Sequence, residues 1–185
     1  MAIVKNIRNF TMKKVTKDAI FALDTNVLLW TFYSRATITK SYQRLVYPNF
    51  IAKLISNGNK IYVLGNNLNE MMHVIERNEY EIYVQGNSSK IGLKQYRRNS
   101  KCRAFIQNEI TLIINQLKSI PNIDLVDSKF LTTDIDRFTT DYLLHQCDFF
   151  DFLLIDFCNQ HNCAVITDDK DFDTNYLKTE LYTYK

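Results

Sequence analysis

The chain has 185 residues, of which 46% are hydrophobic and 13% aromatic, and its formal net charge is +3. This length fits one domain, because single domains commonly hold about 100–200 residues, and the apolar content excludes a generally disordered chain. The charge balance is only mildly basic, so the placement of charges along the chain is more informative than their sum.

The N-terminal part begins with a polar, basic stretch at 1–17, which we interpret as an arm ahead of a single domain at 18–185. The apolar run at 19–24 is too short for a helix and predicts a buried strand. Further elements are predicted in chain order as helices at 27–33 and 41–59 and a second buried strand at 60–65.

The C-terminal part continues this alternation. Helical patterns cover 66–77 and about 91–118, separated by a polar patch at 85–90, and the elements that follow are a strand at 123–127, helices at 128–146 and 148–162, and a strand at 163–167. Strands that alternate with helices predict an α/β fold with three layers, α/β/α, around a central, mostly parallel sheet.

Carboxylates stand where three of the predicted strands end. Asp24 ends the first strand, Glu70 follows the second, and Asp169 follows the last. Ligands of open parallel sheets bind at the carboxyl ends of the strands, so we expect these acids to converge. Asp151, near the start of the helix before the last strand, is expected to reach the same edge.

Four carboxylates in one place repel one another and raise each other's pKa unless a cation neutralises them. Mg²⁺ and Mn²⁺ are hard cations that prefer oxygen ligands, which makes them the natural partners of such a cluster. A centre of this kind activates water and stabilises the charge that builds on a phosphodiester under attack, and this chemistry is that of a nuclease.

Three segments resemble the PIN-domain nucleases, a family that includes the VapC-type toxins of toxin–antitoxin pairs. They are AIFALDTNVLLW (19–30), VLGNNLNEMM (63–72) and DFFDFLLIDFCNQHNCAVITDDKDF (148–172). The resemblance implies a PIN-like fold, with catalytic and metal-binding roles for Asp24, Glu70, Asp151 and Asp169, a further metal ligand at Asp171, and supporting roles for Asn26 and Thr167. The helical material at 85–120 makes the chain longer than the compact toxins.

Each acid also has a structural explanation. Asp24 and Asn26 fit a turn or helix cap, and Glu70 fits a surface position on a helix. The acidic run at 168–173, which contains Asp168 and Asp169, fits a solvated loop. Asp148 fits the N-cap of the helix that follows, which leaves Asp151 in a first turn where a negative charge favours the helix dipole. These separate explanations do not predict acids at three strand ends, and their conjunction favours the metal site.

A basic stretch is the predicted surface for a polyanion. It contains Lys90, Lys94, Arg97, Arg98 and Lys101, with Tyr96 among them. Lysine and arginine would contact phosphates, and the tyrosine would stack on an unpaired base. The alternative is a solvated helix face.

The first functional hypothesis is a cytoplasmic, Mg²⁺- or Mn²⁺-dependent endoribonuclease that cuts single-stranded or looped RNA. The resemblance implies an antitoxin protein and a second copy of the chain as partners. The second hypothesis is a PIN-like RNA-binding scaffold with little or no hydrolysis. No secretory signal or membrane helix is predicted.

Three other kinds of site are disfavoured by their residue patterns. A zinc site at Cys158, His161 and Cys163 lacks a second pair of ligands, and reduced thiols are expected instead. A phosphatase of the haloacid dehalogenase type requires an aspartate at position 26, where Asn26 stands. A nucleotide-binding domain is disfavoured because neither GxGxxG nor GxxxxGK[ST] occurs.

Overall fold

In the computed structural model, residues 2–8, 10–87, 91–127, 135–144, 147–170, 172 and 175–184 are described, with the backbone alone at 135, 137, 138 and 141. Within this part of the chain, six strands form one parallel sheet in the order β1-β6-β5-β2-β3-β4. They are β1 (Ile3–Asn6), β2 (Ile20–Leu23), β3 (Lys60–Leu64), β4 (Ile123–Val126), β5 (Ala164–Ile166) and β6 (Glu180–Thr183). The predicted α/β class with a parallel sheet is confirmed.

The helices connect these strands. They are α1 (Thr25–Phe32), α2 (Ser41–Asn57), α3 (Gly65–Gly86), α4 (Leu93–Arg98), α5 (Ser100–Ser119), α6 (Ile135–Leu144) and α7 (Phe149–His161), with a 3-10 turn at Met12–Lys14. Gly58 ends α2 with a φ of 84°, a left-handed conformation that glycine adopts without strain. Among the described residues, no helix is both long and apolar enough to cross a membrane.

Alternation along the strands divides the core between two faces of the sheet. On β2, Phe21 and Leu23 pack in one cluster with apolar residues of α1, α2, α3 and α5. Ala22 points the other way and packs in a second cluster with Leu154 and Phe157 of α7. Successive strand residues face opposite sides, so this division produces the three layers.

Strand order reverses next to β2. The chain runs from β2 to β3 and β4 on one side, and returns to β5 and β6 on the other side of β2. In register, Leu23 of β2 pairs with Ile166 of β5. The residues that follow these two positions therefore lie at the switch point, where open parallel sheets bind their ligands.

The N-terminal segment differs from the expected arm, because Ile3–Asn6 form β1 and pair with Glu180–Thr183 of β6. Ile3 and Val4 are more than half exposed, so this edge strand depends on backbone pairing and lacks the buried apolar run that marks the inner strands. Farther along, Phe10 packs against Phe50 and Tyr182. Much of residues 1–17 thus belongs to the folded domain.

The predicted long helix at 91–118 is two helices in the structure. Asn99 separates α4 from α5 and caps α5, since its side chain accepts hydrogen bonds from the backbone N–H groups of Lys101 and Cys102. The helix predicted at 66–77 continues as α3 to Gly86. Of the helix predicted at 128–146, residues 135–144 form α6, and 128–134 lie outside the described residues. All four cysteines are free thiols, as expected.

Candidate active site

Asp24 and Thr167 come directly after β2 and β5, at the switch point of the sheet. The Thr167 hydroxyl donates a hydrogen bond to Asp24 Oδ2 at 2.7 Å and accepts one from the backbone N–H of Asp169 at 2.9 Å. The Asp24 N–H donates to the Ile166 carbonyl at 3.1 Å. One buried hydroxyl therefore ties the first predicted acid to the loop that carries the last.

Glu70 of α3 reaches the same place through contacts with the first turn of α1. The hydroxyl of Thr25, the first residue of α1, donates to Glu70 Oε2 at 2.5 Å and accepts from Asn67 Nδ2 at 3.0 Å. Thr25 is 2% exposed and Asn67 is 4% exposed. Because Thr25 directly follows Asp24, this contact brings the second predicted acid beside the first.

Asp151 is placed by the cap of α7. The Asp148 side chain accepts hydrogen bonds from the N–H groups of Phe150 and Asp151, both at 2.9 Å, which confirms Asp148 as the N-cap. Burial raises the pKa of Asp151 to about 8, and the negative charges that add to this shift are those of Asp24, Asp148, Asp169 and Glu70.

Asp24 has a similar electrostatic environment. Burial raises its pKa to about 7, the hydrogen bond from Thr167 opposes the shift, and the charges of Glu70 and Asp169 increase it. The four acids therefore influence one another, as expected for carboxylates that share one site. The structure brings together Asp24, Glu70, Asp151 and Asp169, which stand in four separate parts of the sequence.

The donor chemistry of this cluster suits a hard divalent cation, because carboxylate, hydroxyl and amide oxygens are the ligands that Mg²⁺ and Mn²⁺ prefer. Within the described residues, no three His, Cys, Asp or Glu side chains are placed to hold a metal ion by themselves. Mg²⁺ commonly keeps several waters and is held by one or two carboxylates, a coordination that these acids could supply.

Comparison with known families decides the classification. The family model of the PIN domain matches residues 21–176.

The chain belongs to the PIN-domain family. PIN domains are generally nucleases that use divalent metals, and the matched residues include all four acids of the cluster. The predicted family resemblance is thus confirmed, whereas the roles of individual residues remain predictions. A comparison with curated proteins found no significant match.

A solved structure shows the same fold at low sequence identity. It is the structure of VapBC2 from Rickettsia felis bound to a DNA fragment from their promoter. The alignment has 14% sequence identity and a TM-score of 0.50, and it covers 88% of this chain and 98% of the other. At this identity the similarity concerns the PIN fold alone.

The predicted RNA-binding stretch of this PIN domain is only partly available for RNA. Tyr96 is 2% exposed and packs edge-on against Tyr80, so its ring is not accessible to a base, and that part of the expectation is wrong. The prediction for Tyr96 rested on its place in a basic stretch, and its burial depends on α3, which the local sequence does not show. Arg97 pairs with Glu76 of α3 at 2.6 Å.

The remaining members of that stretch stay candidates. Lys94, Arg98 and Lys101 are exposed on α4 and α5. Lys90 lies outside the described residues, as does the predicted fifth acid, Asp171. Asn26 is exposed in the first turn of α1, directly after Thr25.

Sequence reasoning missed Asp168 as a structural residue and considered it only as part of a solvated acidic loop. The structure buries it, and its carboxylate accepts hydrogen bonds from the hydroxyls of Tyr42 and Tyr47, each at 2.8 Å. Burial and the bond to Asp168 raise the pKa of Tyr42 to about 12. These bonds anchor the loop that carries Asp169 to α2, and no sequence pattern connects residues so far apart.

Thr25 and Asn67 were also missed. Asn67 stands one helical turn before Glu70, a spacing that places both side chains on one face of α3 and that would have identified it.

Proposed function

We propose that this protein is an endoribonuclease that hydrolyses RNA phosphodiester bonds with Mg²⁺ or Mn²⁺ as its cofactor. The observation that carries the proposal is the environment of Asp24, which Thr167 links to the Asp169 loop and which stands next to the Thr25–Glu70 pair. Buried carboxylates that face further carboxylates are unfavourable in a purely structural role. They favour a site that receives positive charge from a ligand.

The chain's own residues orient the acids. The hydroxyls of Thr25 and Thr167 each donate their only proton to a carboxylate, and this holds Glu70 and Asp24 in fixed directions. Asp24, Glu70, Asp151 and Asp169 would hold the cation, with Asp171 as a predicted fifth ligand. When bound, such a cation would supply Lewis-acid polarisation of the phosphate and activation of a water molecule.

Protons accompany cation binding in this proposal. With pKa values raised to about 7 for Asp24 and about 8 for Asp151, both carboxyls hold protons for part of the time at neutral pH. Ligands must be deprotonated to bind a cation, so these two groups would release protons as the cation enters. The affinity for Mn²⁺ should therefore increase as the pH rises from 6 to 9.

The substrate we propose is single-stranded or looped RNA. Flexible, unpaired segments present their backbone to an open acidic site more readily than a duplex does. The exposed cations Lys94, Arg98 and Lys101 would contact phosphates without reading the sequence.

A cleavage assay tests the proposal. Wild type, Asp169→Asn and Asp124→Asn are incubated with unstructured RNA, hairpin RNA and matched DNA in Mn²⁺, Mg²⁺ or EDTA. Asp124 forms an ion pair with Lys60 in which both partners are more than a third exposed, so it is the matched control. We expect metal-dependent RNA cleavage in wild type and in Asp124→Asn, with none in Asp169→Asn. Equal cleavage by wild type and Asp169→Asn would contradict the proposal.

An RNA-binding scaffold is the second candidate. It is favoured by the exposed cations Lys94, Arg98 and Lys101, which would contact phosphates whether or not the RNA is hydrolysed. In the same assay, RNA that binds but stays intact with every metal would support this function instead.

Two protein partners complete the proposal. The solved VapBC2 structure is named for a pair, and we propose that an antitoxin protein binds this chain as well. We also propose a homodimer. Light scattering of the purified chain would give the mass of a dimer, whereas the mass of a monomer would exclude self-association at that concentration.

A further inference from the structure

The two polar atoms of the Asn67 side chain have different environments, since only the nitrogen has a hydrogen-bond partner among the described residues. Its Nδ2 donates to Thr25 Oγ1, and Thr25 in turn donates its hydroxyl proton to Glu70. A hydroxyl has one proton to donate, so Thr25 must accept from Asn67, and the nitrogen end of the amide has to face it. The oxygen end, Oδ1, therefore points away from Thr25.

This Oδ1 atom is buried and has no hydrogen-bond partner within the described part of the chain. Asn67 as a whole is 4% exposed. Folded proteins seldom leave such an atom unsatisfied, because the loss of its hydration is costly, and it commonly binds a water molecule, an ion or a ligand. Asn67 is linked to the acidic site through Thr25, which bonds to Glu70 and directly follows Asp24, so a ligand of that site is the partner to consider.

The chemistry of a neutral oxygen suits this position. Asp24 and Asp151 already experience the charge of their neighbours, and an amide oxygen offers an acceptor without adding another negative charge. The described acids do not form a direct three-ligand set, so a cation there would retain water molecules that need acceptors.

We propose that Asn67 belongs to the cation site and that its Oδ1 accepts a hydrogen bond from a water molecule of the hydrated divalent cation. The inference rests on the proposed function, since it requires a cation between the four acids. Asn67 is then a positioning residue with two roles: its nitrogen orients Thr25 and Glu70, and its oxygen holds the hydration shell.

Manganese titration followed by the electron paramagnetic resonance signal of free Mn²⁺ tests the proposal without relying on activity. Asn67→Leu keeps the approximate size and removes both polar atoms, and we expect it to weaken Mn²⁺ binding by at least about tenfold, as removal of outer-shell partners does. The matched control is Asn69→Leu, an exposed position in the same helix, which should bind like wild type. Unchanged binding in Asn67→Leu would overturn the proposal.

Asn67→Asp separates the oxygen from the nitrogen. It retains an acceptor oxygen, loses the amide donor to Thr25 and adds a negative charge, so we expect it to bind Mn²⁺ at least as tightly as wild type, unlike Asn67→Leu. A loss as large as in Asn67→Leu would mean that Asn67 acts only by holding Thr25, and would overturn the role of the oxygen. This variant also serves as the test if Asn67→Leu fails to fold.

The two proposals fail in different ways. Mn²⁺ binding by wild type that Asp24→Asn abolishes, together with unchanged binding in Asn67→Leu, contradicts only the role of Asn67. The absence of Mn²⁺ binding by wild type contradicts the cation site itself and this inference with it.

Discussion

Helix α3 carries carboxylates in two different environments, with Glu70 partly buried in one and Glu76 and Glu79 buried in the other. Near its start, Glu70 belongs to the acidic site, where Asp24 and Asp151 face other acids and have raised pKa values. About 9 Å farther along the helix, at a rise of about 1.5 Å per residue, Glu76 faces arginines. The pKa of Glu76 is lowered, and the hydrogen bond from Arg97 is the largest cause.

In the second environment, the protein itself supplies partners for the carboxylates. Glu76 pairs with Arg97 at 2.6 Å and with Arg103 at 3.4 Å. One turn later, the carboxylate of Glu79 accepts hydrogen bonds from the Tyr33 hydroxyl at 2.5 Å and from Arg35 at 2.7 Å. Buried acids that have cationic partners stabilise the packing of helices. Acids that face other acids are available for a ligand, and this difference distinguishes the acidic site from the rest of the fold.

The largest expected effect separates the two environments by activity. Asp24→Asn should lower RNA cleavage by more than about 100-fold, because removal of a metal ligand exceeds the 10- to 100-fold effect of its outer-shell partners. Glu79→Gln, which keeps the shape of a buried acid in the second environment, should retain cleavage within a few-fold. Single-turnover rates in Mn²⁺ provide the measurement, and an equal loss in both variants would remove the distinction.

For the free energy of unfolding, we expect the larger effect in the second environment and the smaller one in the acidic site. Glu79→Ala leaves the Tyr33 hydroxyl and Arg35 without their acceptor, and we expect a loss of about 3 kcal/mol in the free energy of unfolding. Asp24→Asn should cost far less, since it removes a charge that is unfavourable in the absence of a cation. Urea unfolding at pH 7 in EDTA measures both values, and a smaller loss for Glu79→Ala than for Asp24→Asn would contradict the comparison.

Asp151 and Glu76 should contribute to the pH dependence of stability with opposite signs. Folding raises the pKa of Asp151 from 3.8 to about 8. The contribution of this carboxyl to the free energy of unfolding is therefore fully present below pH 4 and is lost as the pH rises through 8. Asp151→Asn should therefore be more stable than wild type at pH 9, by on the order of 2 kcal/mol after allowance for solvent screening, and should match it near pH 4.

The matched control for that experiment is Glu76→Gln. The pKa of Glu76 is lowered, so its contribution is present above its unfolded value and is lost as the pH falls. The deficit of Glu76→Gln should be largest at neutral pH and should shrink in acid. Urea midpoints between pH 3.5 and 9, measured without divalent cations, compare the two variants, and parallel profiles would mean that the two environments are electrostatically alike.

The sequence was sufficient for the parts of this comparison that depend on local pattern. Apolar runs marked β2, β3 and β5, and the segment at 123–127 was also predicted as a strand, now β4. The rule that ligands bind at the carboxyl ends of parallel strands predicted that Asp24, Glu70 and Asp169 would converge. β1 was missed because its side chains are largely exposed. Its place in the sheet follows from pairing with β6, which lies at the other end of the chain.

Long-range contacts account for the rest. Asn67 meets Thr25 across 42 positions, and Tyr42 meets Asp168 across 126, so neither bond has a local signal. The same holds for Tyr96, whose burial against Tyr80 is a consequence of helix packing. Local patterns predicted which residues would carry charge to the site, and tertiary contacts determine which of those charges have a partner.

The smallest expected effect concerns the cations of α4, of which one is paired with an acid and another is exposed. Lys94 is exposed, whereas Arg97 is bound to Glu76, although the two stand three residues apart on one short helix. If Lys94 contacts RNA phosphate, Lys94→Ala should weaken RNA binding by about two- to threefold and reduce the salt dependence of binding by about one phosphate contact. Arg97→Ala should leave the salt dependence nearly unchanged and lower the free energy of unfolding slightly, because Glu76 loses its closest partner. Fluorescence anisotropy with labelled single-stranded RNA at several salt concentrations, beside urea unfolding, measures both quantities. If Arg97→Ala alters the salt dependence as much as Lys94→Ala does, the pair with Glu76 opens when RNA binds, and Arg97 would then act as a phosphate contact after all.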